Sequence, residues 1–436
     1  MTKFQFITLG TFIAFLIAGV ISFSMYKGTS SSTTKLPAVT IWGTFPADVF
    51  NSYVSGINNS SQTPVSVTYR QIDPTAFSQD FIAALARGTG PDAILISADM
   101  ILPHLDKLAL VSYATMPART FMDSYVEEAQ IYTNANGIVA LPFSIDPLIM
   151  YWNRDMFNTA GIATYPKFWD EFTKINQRIT SKDANGNIRK SAMALGDFTN
   201  VYNAREILAS LIMQTGNPIT TYDAQGNIIT TLKSGADISP KPAFDFFTQF
   251  VNPTSENYSW NKGMADSKTA FLAGNLATYF GLASELSEIR AKNPNLNFDA
   301  APLPQARPAT GSSITKSNYA RMFGLSIVRT TANPTGVYQV LSILTQPSYL
   351  DALAKSMYLP SVLNSVISQG STDPYISVFN MAALVSKTWL DADPIQSNQV
   401  LGNVVESITT GKKSSFQAIE DGGAIYGKIL RQFAAQ

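Results

Sequence analysis

Two hydrophobic periods alternate along the chain that follows Pro37. Apolar residues occupy alternate positions in VTIWG at 39–43 and VSVTYRQ at 65–71, and DAILI at 92–96 is almost wholly apolar, so all three segments are predicted to be strands. Apolar residues spaced three and four positions apart predict helices near 49–57 and 77–85. Strands that alternate with helices indicate an α/β fold with a parallel sheet and crossover helices.

The residues at the ends of these strands are the first candidates for a ligand site, because ligands of open α/β sheets bind beyond the carboxyl ends of the strands. Trp42 lies at the end of the first strand and Thr44 follows it, Gln71 ends the second strand, and Asp99 follows the third. Trp42 has an alternative role, since an aromatic residue at this position also packs beneath a sheet. Asp92 is expected to hold the preceding loop rather than to contact a ligand.

The segment SIDP interrupts two apolar strands that are predicted at 138–143 and 148–153. Asp146 lies in this interruption, where a carboxylate is costly unless a ligand or hydrogen-bond donors of the chain satisfy it. On the second strand, Asn153 is expected to face a ligand, whereas Trp152 points to the opposite side and is expected to pack in the core. We therefore count Asp146 and Asn153 as candidate ligand residues.

The rest of the chain mixes helices with further strands. Two similar turns, SKDANGNIRK and TYDAQGNIIT, each offer one carboxylate, so hairpin turns are favoured over calcium loops, which need six to eight oxygen ligands. The predicted helices lie at 168–180, 204–213, 243–250 and 396–409, and the further strands lie near 276–280, 297–304 and 321–328.

The amino-terminal segment 4–26 is apolar and carries no charge between Lys3 and Lys27. It is near the length that crosses a hydrocarbon core of about 30 Å, and it lacks a convincing cleavage site. We predict a signal anchor at 1–27 that is not cleaved, with a cleaved signal peptide as the alternative. A Ser/Thr-rich linker at 28–37 then holds the folded part off the outer face of the cytoplasmic membrane, in the periplasm or at the cell surface.

Composition excludes several classes of function. Among 436 residues, 31 Lys and Arg balance 31 Asp and Glu, so the formal net charge of zero gives no general attraction to nucleic acid. The chain has no cysteine, which excludes disulfides, thiolate metal sites and a cysteine nucleophile. His104 is the single histidine, and it lies among leucines that are expected to be core. We expect no metal and no cofactor.

Six segments, taken in order, resemble the bacterial extracellular solute-binding proteins of family 1, the sugar-type receptors of ABC importers. The resemblance covers the chain after Pro37 and implies a two-lobed, periplasmic-binding-protein-like α/β fold (type II) with a ligand cleft between lobes that hinge crossovers join. The segments are VTIWG; ALARGTGPDAILI; NGIVALPFSIDPLIMYWNRDMFNTAGI with PKFWDEF; KTAFLAGNLATYFG; KNPNLNFDAAPLPQ; and MFGLSIVRTTANPTGVYQVLSIL.

The resemblance also implies boundaries and partners. It places 36–144 and 265–325 in the amino-terminal lobe, and 145–264 and 326–436 in the carboxyl-terminal lobe. A receptor of this family delivers its ligand to the permease subunits of an ABC transporter, and we expect a monomer that is not an enzyme.

The resemblance adds site residues to those found from the strand pattern. The family often presents an acid or amide to sugar hydroxyls at the position of Asp99, and it commonly places a stacking aromatic where Trp389 stands. Trp260 precedes a crossover helix and is open to either a ligand or a core role, whereas Trp169 is expected to be buried. Gly281 is followed by Leu282, Ala283 and Ser284 where relatives often carry tryptophan, so one stacking platform is missing.

Aromatic and neutral polar residues favour a mono- or oligosaccharide ligand, because a sugar presents an apolar C–H face and a hydroxyl rim. A polyol phosphate or a peptide is the alternative ligand, and a membrane-anchored sensor or adhesin that does not take part in transport is the alternative function. A glycoside hydrolase would use Asp99 and Asp146 as its carboxylate pair. Nothing in the sequence sets the distance between them. We consider this enzyme the least favoured interpretation, because the receptor fold offers a two-faced cleft without a preorganised acid in an apolar pocket.

Overall fold

The structure is a computed structural model that describes residues 36–61, 64–307 and 316–433. The predicted anchor and the linker residues 28–35 lie outside these ranges. Across the three ranges, no helix combines the length and the apolar character needed to cross a membrane.

The strands carry four of the eight predicted ligand residues, namely Trp42, Gln71, Asp146 and Asn153. The strands are β1 Ala38–Gly43, β2 Ser66–Gln71, β3 Ala93–Ser97, β4 Leu108–Ala109, β5 Thr133–Asn134, β6 Gly137–Ile138, β7 Leu141–Asn153, β8 Ser181–Lys182, β9 Ile188–Met193, β10 Thr220–Tyr222, β11 Ile228–Thr230, β12 Leu276–Leu282, β13 Phe298–Ala301, β14 Asn318–Val328 and β15 Ser386–Lys387.

The helices flank the strands and become denser towards the carboxyl end. They are α1 Ala47–Ser60, α2 Pro74–Ala86, α3 Ala118–Ser124, α4 Arg154–Thr159, α5 Phe172–Ile179, α6 Ala204–Gln214, α7 Lys241–Thr248, α8 Ser267–Leu272, α9 Leu286–Lys292, α10 Pro334–Leu344, α11 Pro347–Met357, α12 Asn364–Ile367, α13 Pro374–Ala383, α14 Pro394–Thr409 and α15 Ser415–Leu430. Short 3-10 turns follow β3, at Ala98–Met100 and Leu102–Lys107, and α15, at Arg431–Phe433.

The main sheet has the order β2-β1-β3-β14-β7-β12-β9-β8, with β4, β13 and β15 paired off this path. β1 pairs in parallel with β2 and with β3, and α1 and α2 form the crossovers. The parallel sheet and crossover helices predicted for this part of the chain are confirmed. The two similar turns close the hairpins β8–β9 and β10–β11, also as predicted.

The strand β7 is continuous, whereas the sequence predicted two strands broken by SIDP. Its first half pairs with β14 up to Pro147, and its second half pairs with β12 from Leu148 onwards. Proline lacks an amide hydrogen, so the pattern was interpreted as a break in the strand. In the structure, Pro147 marks the point at which the strand changes partners.

Strand pairing groups the chain differently from the predicted lobe boundaries. β12 and β13 fall in the segment 265–325 that was assigned to the amino-terminal lobe, yet both pair with the second half of β7. β12 also pairs in parallel with β9, which belongs to the predicted carboxyl-terminal lobe. The lobe boundaries themselves stay a prediction.

One large apolar cluster fills the half of the molecule built around the second half of β7, β9 and β12. Trp152, Trp169, Trp260 and Trp389 all belong to this cluster. The core positions predicted for Trp152 and Trp169 are confirmed, since these residues are 9% and 4% exposed.

Candidate functional site

A main cavity of about 720 Å³ lies at the carboxyl ends of β1 and β3. Its other walls come from α2, from the first turns of α6 and α14, from β14 and from Phe433. Elements far apart in sequence therefore meet there. The lining residues are Thr44, Pro74, Thr75, Ser78, Ile82, Ser97, Asp99, Met100, Pro103, Lys107, Arg205, Glu206, Arg321, Phe323, Ala392, Asp393, Pro394, Ile395, Asn398 and Phe433.

Two of the wall helices begin at the cavity with the same local sequence, Asp-Pro. Asp73 accepts a hydrogen bond from the Thr75 amide at 2.8 Å, and Asp393 accepts one from the Ile395 amide at 2.8 Å. Aspartate caps the free amides of a first turn, and proline fits the first helical position, so this dipeptide fixes where α2 and α14 start. Each helix also places an isoleucine on the cavity, and Ile82 and Ile395 are each 46% exposed.

Arg205, in the first turn of α6, connects three parts of the cavity wall. Its Nη2 donates to Asp99 Oδ2 at 3.1 Å and to Asp391 Oδ2 at 2.7 Å, and its Nη1 donates to Glu206 Oε1 at 3.0 Å. Its Nε donates to Ser397 Oγ at 3.1 Å. Burial opposes the charge of this guanidinium, but the carboxylates outweigh that effect and raise its pKa.

Further contacts, with Trp389 and through it Tyr426, hold this arginine in place. The guanidinium lies 4.6 Å from the centre of the Trp389 ring, and the Trp389 indole donates to the Tyr426 hydroxyl at 3.2 Å. Tyr426 in turn donates to Asp391 Oδ1 at 2.8 Å. Asp391 is fully buried, so these partners supply the hydrogen bonds that its carboxylate needs. The network fixes the Arg205 side chain in one place at the cavity wall.

Thr44 and Asp99 are the two predicted ligand residues that line the main cavity. Asp99 is 6% exposed and accepts hydrogen bonds from Ser97 Oγ at 2.6 Å and from Arg205. Its remaining lone pairs leave room for a further donor. The strand-end rule for ligand sites therefore led to the cavity at β1 and β3.

Three other predicted residues have partners outside the main cavity. Trp42 lies on the outer face of β1 with the Arg70 guanidinium 4.5 Å from its ring centre. Gln71 accepts a hydrogen bond from the Ala47 amide at 2.9 Å, at the start of α1. Asn153 caps α4 through the Met156 amide at 3.0 Å and lines a separate surface cavity. All three hold local structure.

Asp146 is buried against Ser284, away from the main cavity. Its Oδ1 accepts from the Ser284 amide at 2.9 Å and its Oδ2 from the Ser284 hydroxyl at 2.7 Å. Burial raises the pKa of Asp146, although Arg321 and these hydrogen bonds oppose the rise. The carboxyl thus found its donors within the chain, and Asp99 and Asp146 do not flank one cavity as a hydrolytic pair would.

Trp260 and Trp389 are core residues in the structure. Trp260 is fully buried, and its indole donates to Asn200 Oδ1 at 2.8 Å. Trp389 is 2% exposed, because Arg205 covers its ring. All five tryptophans lie in the described ranges, and none lines the main cavity.

A second cavity of about 360 Å³ adjoins Trp389 and is lined by Glu128. Both carboxylate oxygens of Glu128 are buried and have no hydrogen-bond partner. Burial, and next the charge of Asp99, raise the pKa of Glu128 well above its usual range.

The residues that sequence reasoning missed are charged side chains in apolar elements. Arg205 and Glu206 begin a helix whose other residues are almost all buried, and Arg321 interrupts the apolar strand β14. Charges in such segments are rare without a partner or a function, and this rule could have found them.

The sequence profile of the bacterial extracellular solute-binding protein family matches residues 46–349. The chain belongs to this family. Its members are binding proteins rather than enzymes, and they act outside the cytoplasm, in the periplasm or at the cell surface. The chain is 26% identical to the maltodextrin-binding protein MdxE of Bacillus subtilis over 305 residues, which cover 67% of this chain and 66% of that relative.

Solved structures of the family share the fold of this solute-binding protein. The cyclic α-maltosyl-1,6-maltose binding protein from Arthrobacter globiformis matches with a TM-score of 0.73 and 17% identity, covering 91% of this chain and 99% of that one. The sugar-binding protein MalE from Xanthomonas citri matches with a TM-score of 0.70 and 18% identity, covering 91% and 98%. The predicted two-lobed α/β fold is confirmed.

Proposed function

We propose that this protein captures a mono- or oligosaccharide in the main cavity and delivers it to the permease of an ABC importer. The observation that carries the proposal is the cavity itself, which strand ends and helix starts from distant parts of the chain enclose. The names of the relatives support it, since they describe proteins that bind maltodextrin and a cyclic maltosyl-maltose.

The cavity chemistry suits a sugar. Met100, Phe323 and Ile395 supply apolar surface for C–H groups, and Asp99 and Arg205 supply a hydrogen-bond acceptor and donors for hydroxyls. Tryptophan is missing from the wall, so the aromatic contact comes from Phe323 and Phe433. Thr44 remains a candidate ligand contact in this proposal.

Strand pairing suggests which parts form the two lobes. β1, β2, β3, β4 and β14 form one paired group, and β8, β9, β12 and β13 form the other, with β7 shared between them. We propose that these groups are the lobes and that the ligand stabilises their closed arrangement, by at most its differential affinity for the two states.

The amino-terminal segment 4–26 would keep this receptor, as a monomer, at the outer face of the membrane. A helix of this length inserts almost irreversibly, so the full chain should stay in the pellet after carbonate extraction. A mature protein that begins near Lys27 would instead show that the segment is a cleaved signal peptide.

A thermal-shift screen of the full-length protein in mild detergent tests the function. A ligand present at about 100 times its dissociation constant adds about 2.7 kcal/mol to the free energy of unfolding. We expect maltose to maltotetraose, mannobiose or tagatose to raise the melting temperature and to be recovered chemically intact. A rise with phosphorylated polyols or peptides alone would overturn the carbohydrate proposal.

A further inference from the structure

Among the charged side chains that line the main cavity, Arg321 is the one that forms no hydrogen bond and no ion pair with a described residue. Nearly all of β14 is buried, and Arg321 and Phe323 are the two partly exposed positions, both on the main cavity. No hydrogen-bond acceptor or carboxylate within the described ranges pairs with the Arg321 guanidinium. Its N–H donors are therefore free for a molecule in the cavity.

Carboxylates surround this arginine but are engaged elsewhere. Asp146, opposite Arg321 on β7, accepts both of its hydrogen bonds from Ser284. Glu206 and Asp99 accept from Arg205. Burial disfavours the charge of Arg321, but Tyr319 and these three carboxylates outweigh it and raise the pKa of the guanidinium. The arginine therefore stays charged without being neutralised by direct contact.

The side chains that line the main cavity carry more carboxylates than guanidinium groups. Two guanidinium groups of the cavity wall, Arg205 and Arg321, stand against three carboxylates of the wall, Asp99, Glu206 and Asp393. Lys107, at the rim, already pairs with Asp106 at 2.6 Å, outside this group. An anionic ligand would be attracted by Arg321 but repelled by several carboxylates. A neutral hydroxyl would accept hydrogen bonds from Arg321 without that repulsion.

We propose that Arg321 binds the sugar directly in this cavity. It donates to hydroxyl or ring oxygens of a neutral saccharide, and the surrounding carboxylates reject sugars that carry a carboxylate or a phosphate. This inference rests on the proposed function and narrows the ligand class to neutral saccharides.

Isothermal titration of the full-length protein tests the assignment, with the tightest neutral sugar among maltose, maltotetraose, mannobiose and tagatose. We expect Arg321→Gln to weaken binding about tenfold or more, the equivalent of one charge-assisted hydrogen bond. Arg321→Lys keeps the charge but lacks the planar fork, and should lose less. Arg70→Gln is the matched control: Arg70 packs on Trp42 outside the cavity and should leave affinity unchanged.

Monodeoxy analogues of the same sugar separate a direct contact from a structural role. The wild type should lose affinity for the analogue that lacks the contacted hydroxyl, whereas Arg321→Gln should lose nothing further with that analogue. The wild type should also bind glucuronate or glucose 6-phosphate at least about tenfold more weakly than the matching neutral sugar.

Two outcomes contradict the inference while the proposed function stands. One is equal affinity of the wild type and Arg321→Gln for the neutral sugar. The other is tighter binding of the acidic sugar. A wild type that binds no saccharide of either kind overturns the proposed function itself, and the inference with it.

Discussion

At the residue scale, the single histidine gives the fold a pH dependence. His104 is fully buried, packs edge-on against Phe77 and Phe81, and shares a hydrogen bond of 3.2 Å with Ser78 Oγ. Burial, and next Lys107, lower the pKa of His104 from 6.5 to about 4. The unfolded chain therefore binds a proton that the folded chain does not, and stability falls as the pH falls from 6.5 towards 4.

We expect this histidine to account for about 3 kcal/mol of acid destabilisation over that range. His104→Gln should flatten the pH dependence of the urea-unfolding free energy between pH 6.5 and 4. Ser78→Ala, which keeps the imidazole, should retain the slope. An unchanged slope in His104→Gln would show that other groups control acid unfolding.

Glu128 should act in the opposite direction. Its pKa in the fold lies well above that of the unfolded chain, so the folded chain keeps a proton that the unfolded chain releases. As the pH rises above its ordinary pKa, the unfolded chain releases the proton and stability is lost. Glu128→Gln should remove this loss and be more stable than the wild type at pH 7 but not at pH 4. The neighbouring exposed Glu127→Gln is the control, and equal behaviour of both variants would refute the assignment.

The sequence could predict some residues of the site and not others. Asp99 was predictable because it follows a strand in a parallel sheet, and Asp92 holds its loop through Thr40 and Thr331, as expected. Trp389 was predicted to stack on a ligand, yet it is buried. Its environment depends on Arg205 and Tyr426, which are distant in sequence, so no local pattern could reveal it.

At the scale of elements, Arg205 joins the end of β3, the start of α6 and the segment that precedes α14. Arg205→Met would leave Asp391 buried without its cation, at a cost of about 3 to 5 kcal/mol in unfolding free energy. The control is Arg307→Met, because Arg307 pairs with Asp170 at an exposed position and should change stability little. The free energies of unfolding are measured with urea. An equal decrease in both variants would contradict the assignment.

Element types were easier to predict than element partners. The helix predicted at 204–213 is α6, Ala204–Gln214, and the strand predicted at 39–43 is β1, Ala38–Gly43. Periodicity reports which face of an element is buried, so it identifies these elements. It carries no information on pairing between distant strands, and for this reason β7 was divided in two.

At the scale of the whole molecule, β7 is shared by both paired groups of strands, and β14 continues the sheet from β7 into β3. If either group of strands unfolded together with β7, the other group would lose its hydrogen-bonded neighbour. We therefore expect residues 38–433 to unfold in one cooperative transition. Tryptophan fluorescence reports mainly the apolar cluster, which holds four of the five tryptophans, while circular dichroism reports all helices. Coincident urea midpoints are expected, and two separate midpoints would show that the groups unfold independently.

The isoleucines at the cavity rim offer a way to watch this molecule work. Ile82 and Ile395 are exposed and belong to α2 and α14, two different helices of the main cavity wall. The chain has no cysteine. In the double variant Ile82→Cys with Ile395→Cys, the two new thiols would therefore be the only ones that react with a maleimide label. The distance between two spin labels at these sites could then be measured before and after sugar is added. No other labelled position would contribute to the signal.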